Sequence, residues 1–161
     1  MKQGKSGGTE KGNDVKMNLV IKSFEELTKR ELYEILRVRS EVFVVEQECV
    51  YQDLDGLDYD SKHVFFEQDG KVQACLRVFM REEKEKVVQI GRVLTYKRGV
   101  GLGLELLLKG IEVAKTYFQA KKLYLEAQVY AIGFYEKGGF KVVSDEFLED
   151  GIPHVCMELE C

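Results

Sequence analysis

The stretch that decides the fold is residues 87–118, VVQIGRVLTYKRGVGLGLELLLKGIEVAKTYF. It opens as a strand, because Val87 to Thr95 is rich in β-branched residues. A basic, glycine-rich loop follows, Lys97-Arg98-Gly99-Val100-Gly101-Leu102-Gly103. The loop leads directly into a helix in which Leu106, Leu107, Ile111, Ala114 and Phe118 recur at helical spacing. Strand, glycine loop and helix in this order can hold an anion with backbone alone. The first turn of a helix has N–H groups without intrahelical partners, and the helix dipole adds partial positive charge there. Glycines let a phosphate approach the backbone and permit positive φ, and Lys97 and Arg98 add full charges at the mouth. No Lys-Ser or Lys-Thr closes the loop, so it is not a P-loop, and glycines at 99, 101 and 103 do not fit the dinucleotide fingerprint G-x-G-x-x-G. Taken alone, the loop reads equally as a phosphate site and as a tight turn.

Outward from it, the chain reads as an α/β (α+β) protein. Upstream, a strand from His63 to Gln68 and another from Val72 to Met80 flank Asp69-Gly70, a strong hairpin signal. After a charged turn from Arg81 to Lys86, Val87 to Thr95 completes an antiparallel meander. Before the meander lie a short strand, Asn18 to Lys22, and a helix from Lys29 to about Val45, started by a capping box of Thr28 and Glu31. Downstream come a strand from Lys122 to Gln128 and a short helix from Ile132 to Lys137, ended by Gly138-Gly139. Phe140 to Val143 and Val155 to Leu159 read as the last strands, with Pro153 in the loop between them. The order β-α-β-β-β-α-β-α-β-β predicts a mixed, mostly antiparallel sheet of six to seven strands with flanking helices.

Composition narrows the function. The chain has 161 residues with 45% hydrophobic and 32% charged content, enough for one domain with a true core. Lys and Arg total 24 against 28 Asp and Glu, a formal charge of −4, which disfavours nucleic acid as partner. No apolar run approaches the ~18–20 residues of a membrane span, and the first residues lack the apolar core of a secretory signal. With four cysteines and no such signal, reduced thiols in the cytoplasm are the expectation. The cysteines form no C-x-x-C and only His63 and His154 accompany them, so no metal is expected. Residues 1–16 read as a flexible tail carrying four Lys against one Glu and one Asp, ahead of a domain spanning 17–161.

One further motif gives the loop its context. Residues 131–140, AIGFYEKGGF, follow the R-x-x-G-x-G pattern of Arg98, Gly101 and Gly103. Together they resemble the GNAT superfamily of acyl-CoA-dependent N-acyltransferases. Residues 42–47 (VFVVEQ), 91–93 (GRV) and 151–154 (GIPH) occur in that order and resemble its ElaA-type branch. The likeness runs from about residue 18 to the end. It departs in a shorter, proline-free segment between Val93 and Arg98, and in Gln128, where many members carry Asn.

The resemblance implies the GNAT fold, acetyl-CoA as donor and a small-molecule or peptide amine as acceptor, and it leaves a homodimer open. It implies that Arg98, Gly99, Val100, Gly101, Leu102 and Gly103 cradle the pyrophosphate. It also implies that the strand ending at Thr95 splays from the strand Lys122 to Gln128 to admit the pantetheine arm. Val93 or Leu94 would donate a backbone N–H to the oxyanion, and Gln128 would bond the arm. Acyl transfer to an amine needs a base, oxyanion donors and a proton for the departing thiolate. Tyr135 can supply that proton, since a phenol stays protonated at neutral pH; otherwise it is an ordinary buried aromatic.

Glu46, Glu126, Glu149, Asp150, His63 and His154 are all available as base, and His154 titrates near neutrality. Arg39 and Arg92 need partners if buried. Each reads as substrate-binding or as half of a salt bridge, Arg92 with a carboxylate such as Glu46. Six acids in residues 46–60 could attract a cationic acceptor. Two rival readings stand: a ping-pong transferase through Cys156 or Cys49, and a non-catalytic acyl-CoA-binding sensor or interaction module.

Overall fold

The computed structural model describes residues 17–96 and 101–161. The chain enters through β1 (Asn18–Ser23) and a single 3-10 turn, Phe24–Glu26, and reaches α1 (Lys29–Arg39). Thr28 caps α1 reciprocally with Glu31: the Thr28 hydroxyl accepts from the Glu31 N–H at 3.0 Å, and Glu31 Oε1 accepts from the Thr28 N–H at 2.9 Å. Glu31 also takes Lys22 of β1 at 3.0 Å, so the cap fixes the helix to the sheet. The predicted helix does not stay α-helical to its end. From Ser40 to Glu46 it winds as a π-helix, a wider turn that re-aims the side chains after it.

The meander forms as predicted from β2 (Lys62–Gln68), β3 (Lys71–Glu82) and β4 (Val87–Thr95). Asp69 and Gly70 turn at φ of 54° and 76°, as a type I′ hairpin requires. Next come α2 (Leu102–Thr116), β5 (Lys122–Gln128), α3 (Ile132–Lys137) and β6 (Lys141–Val142). The last two strands, β7 (Phe147–Glu149) and β8 (Ile152–Glu160), form a hairpin that the sequence reading lacked. Its turn, Asp150-Gly151 at φ of 52° and 78°, repeats the Asp-Gly signature. Pro153 therefore lies in β8, opposite Leu148, and not in a loop. It sits one residue beyond His154, the last β8 partner of β5, so its missing N–H breaks no rung with that strand.

The strands form one eight-stranded sheet in the order β1-β2-β3-β4-β5-β8-β6, with β7 beside β8. All pairings are antiparallel except β4 with β5. Helix α1 and the π-helical segment after it cover one face, packing Ile35, Val38 and Val42 on Phe65, Cys75 and Leu94. Helix α2 covers the other, packing Leu106, Leu107 and Ile111 on Leu76, Val78, Val88 and Ile90. β3 is buried on both faces, which explains its apolar run from Ala74 to Phe79, interrupted only by Arg77. Burial pushes the Cys75 thiol up to about 12, with the charge of Arg39 opposing and those of Asp53 and Asp58 adding to it, so it behaves as a core residue. Among the described residues no helix is long and apolar enough to cross a membrane.

Candidate active site

Strands β4 and β5 pair over only three rungs, Val87–Lys122, Val88–Leu123 and Gln89–Tyr124, and then part. The cause lies in β4. Between Gly91, opposite Arg77, and Leu94, opposite Cys75, β4 has one residue more than β3. Arg92 takes up the bulge at φ of 52°. A bulge bends its strand and increases its twist, so β4 leaves the line of β5 just past the third rung. The resulting cleft of about 150 Å³ is lined by Ile90, Gly91, Arg92 and Val93 of β4 and by Leu125, Glu126 and Gln128 of β5. Phe43 of the π-helical segment and Gln47 just after it close one side. Tyr130, Tyr135, Glu149, Asp150 and His154 close the other.

Three arginines from three elements pin the acidic loop over the bulge. Arg39, only 1% exposed, donates from Nη1 to Asp58 at 2.7 Å and from Nε to Asp53 at 2.9 Å. Arg77 forks onto Asp55 at 2.6 and 2.8 Å and reaches Asp58 at 3.2 Å. Arg92 Nε lies 2.7 Å from Asp53, and its Nη2 donates to the Asp53 carbonyl at 2.9 Å and to Asp55 at 3.2 Å. Burial pushes the Asp58 carboxyl up, but the hydrogen bond and charge of Arg39 and the charge of Arg77 outweigh it and hold the group below the usual carboxylate range. Asp55 is lowered further: burial is again outweighed, here by Arg77, the Leu57 N–H and Arg92. His63 Nε2–H donates to the Asp58 carbonyl at 3.0 Å, and burial lowers the pKa of its ring.

The predicted site residues divide accordingly. Arg92, Val93, Gln128, Tyr135 and His154 meet in the cleft. Arg39 is not part of the lining and spends its guanidinium on Asp53 and Asp58. Arg92 finds its carboxylates in Asp53 and Asp55, while Glu46 lies exposed at the end of the π-helical segment. The Leu94 side chain belongs to the α1-side core and that of Leu102 to the α2-side core. Gly101 caps α2 in the left-handed conformation at φ of 73°, and no side chain caps the helix in its place. Gly103 serves packing: a Cβ there would stand 3.3 Å from both Phe134 and Thr95. Arg98, Gly99 and Val100 lie outside the described residues.

Within the cleft, Tyr135 is 9% exposed, and burial together with the nearby Tyr130 raises its phenol pKa further above the ordinary value. His154 Nδ1 is 2.7 Å from the Ile152 carbonyl, which can only accept. Nδ1 therefore carries a proton, and Nε2 is the nitrogen left to meet a partner in the cleft. The ring stacks on Phe147 at 6.0 Å. Gln128 donates to Gln47 Oε1 at 3.3 Å across the cleft. Gln47, Tyr51 and Tyr130 were not singled out by chemistry, although Gln47 sits in the VFVVEQ motif. Of the two cysteines offered as nucleophiles, Cys49 lines the cleft with Sγ 3.5 Å from the Asp150 carbonyl. Cys156 faces Tyr124 at 3.0 Å and is not part of the lining.

The model of the Acetyltransferase (GNAT) domain matches residues 23–161. The chain belongs to the GNAT acetyltransferase family. Relatives of the same branch are similar along most of their length. A UPF0039 protein of Schizosaccharomyces pombe is 40% identical over 148 residues, covering 89% of this chain and 97% of its own. Protein ElaA of Escherichia coli is 37% identical over 139 residues, covering 84% and 91%. The crystal structure of that ElaA superposes with a TM-score of 0.84 at 34% identity, over 90% of this chain and all of the other (100%). An acyl-CoA N-acyltransferase from Pseudomonas aeruginosa gives 0.82 at 38%, covering 88% and 99%. A Bacillus subtilis acetyltransferase solved in complex with CoA shares the fold at a TM-score of 0.60 and 18% identity, covering 91% and 99%. This GNAT chain thus shares its fold with a protein described as an acyl-CoA N-acyltransferase.

Proposed function

We propose that the protein moves an acetyl group from acetyl-CoA to an amine by direct attack within a ternary complex. The observation that carries the reading is the cleft between the parted strands β4 and β5, with the Tyr135 phenol in its wall. The residues fit the donor. The first-turn N–H groups of α2 have no side-chain cap, as an anion-binding helix start requires. Arg98, Gly99, Val100, Gly101, Leu102 and Gly103 would hold the pyrophosphate, and Gln128 the pantetheine arm. When bound, acetyl-CoA supplies the activated acyl group.

The chain's own groups do the rest. The Val93 or Leu94 N–H, just past the bulge, donates to the acyl oxygen as charge builds on it. His154 Nε2 takes the proton of the amine. Tyr135, kept protonated by its burial, gives a proton to the sulfur. Arg92 would act on the substrate end through the bulge it stabilises. The four free cysteines support a reducing, cytoplasmic setting.

The test is thiol release from acetyl-CoA against a panel of amines. Tyr135→Phe should slow release by about 10²–10⁴-fold with CoA affinity kept; equal rates would remove the general-acid role. Gly101→Asp should weaken CoA binding, and unchanged affinity in a folded variant would refute the assigned pyrophosphate site. Tight CoA binding without release to any amine would favour the sensor.

A further inference from the structure

Gln47 has no assigned part in acetyl transfer, yet it is tied to a residue that has one. Gln128 Nε2 donates to Gln47 Oε1 at 3.3 Å across the cleft, and both residues belong to its lining. Each end of this bond is mounted on ordered chain. Gln47 follows the π-helical segment, and its own N–H donates to the Val45 carbonyl. Glu48 then turns the chain at φ of 51°, and the Cys49 N–H closes the turn by donating to the Val44 carbonyl at 3.0 Å. A non-glycine residue at such a φ is strained, and strain of this kind gathers at functional sites. Cys49 is buried with its Sγ 3.5 Å from the Asp150 carbonyl, so the chain is held on both sides of Gln47. At the other end, Gln128 is the last residue of β5, opposite His154 of β8. It stands at the N-cap of the 3-10 turn Val129–Ala131, but its side chain makes no capping bond there. The carboxamide is committed to Gln47 instead.

We infer that Gln47 is a positioning residue for the acyl donor: it fixes the Gln128 carboxamide that meets the pantetheine arm. The assignment rests on the acetyl-CoA reading. Its physical reason is side-chain freedom. A glutamine turns about three side-chain torsions, so the backbone alone leaves the direction of its amide undetermined. A partner that holds the far end removes that freedom before the ligand arrives, and the cost of ordering is not charged to binding. The bond also sorts the two ends of the amide. A carboxamide has two N–H donors and one acceptor oxygen. With an N–H of Gln128 spent on Gln47, its oxygen is kept to accept from an amide N–H, and the pantetheine arm carries two such groups. Gln47 acts through Gln128, so its loss is felt by the arm and not by the nucleotide end of the donor.

The experiment is calorimetric titration with two probes and no amine. CoA carries the arm; 3′-phosphoadenosine 5′-diphosphate is its nucleotide end without the arm. Gln47→Met keeps the length of the side chain and removes the accepting oxygen. It should weaken CoA binding by about 3–10-fold and leave the nucleotide probe unchanged. In the background of Gln128→Met the same substitution should cost nothing more, because the residue it acts through is gone. Gln47→Ala, which truncates the side chain instead of replacing it, should give the same pattern, so the outcome does not hang on one variant folding. Unchanged CoA affinity in these variants overturns the inference. So does a loss that falls equally on both probes, or one that persists in the Gln128→Met background, since either is what a merely structural residue would give. The two readings fail separately: CoA binding that ignores residue 47 sinks the positioning role alone, and a wild-type protein that binds neither probe sinks the acetyl-CoA reading and this role with it.

Discussion

Arg92 shows how much one residue can carry. A non-glycine at φ of 52° inside a strand is strained by about 1–2 kcal/mol. Here the strain is held by two carboxylates, a backbone carbonyl and the Tyr51 ring 5.6 Å from the guanidinium. Arg92→Ala loses those anchors and keeps the strain; Arg92→Gly loses the anchors and relieves it. Urea unfolding should therefore find the glycine variant more stable than the alanine variant by about 1 kcal/mol. The need of this arginine for a carboxylate was legible in the sequence, but the identity of the carboxylate was not. Residues 46–60 offer six acids with no periodicity to rank them, and only the folded loop brings Asp53 and Asp55 onto Arg92.

At the scale of elements, α1 was readable at its start and not at its end. The Thr28–Glu31 box is local chemistry, written in two letters. Thr28→Ala should lower stability by about 0.5–2 kcal/mol in chemical denaturation, while leaving CoA affinity unchanged. The π-helical winding of Ser40–Glu46 is different, since apolar spacing alone does not separate it from an α-helix. It matters nonetheless, because it brings Phe43 and Gln47 into the cleft. β7 escaped notice for another reason. It has three residues, with Leu148 72% exposed, so no buried alternation marks it. Its Asp150-Gly151 turn was the available signal, and with it Glu149 would have been placed beside β8.

For the whole molecule, the arginine–aspartate cluster sets an acid limit. Asp55 and Asp58 have folded pKa values below their unfolded ones, so their stabilisation is present above the ordinary carboxylate range and is lost as pH falls through the lowered values. His63 acts earlier. Its folded pKa is below the unfolded value of about 6.5, so stability begins to fall as pH drops through that point. Thermal unfolding should show two acid steps, the first beginning near pH ~6.5 and the second below pH ~4, and His63→Gln should remove only the first. The meander and the helix order were legible because each is decided by its own residues. The cleft was expected only through the family resemblance and not from the residues themselves, because it is made by the parting of strands distant in sequence.

That parting has a mechanical consequence. Three rungs join the two halves of the sheet, and their fully buried middle pair, Val88 and Leu123, acts as the pivot of a pair of shears. A small change of angle there is magnified along the blades β4 and β5 toward Val93 and Gln128. Side chains with no view of any substrate thus set the tolerance of the opening, and selection for what the cleft admits can act on the core.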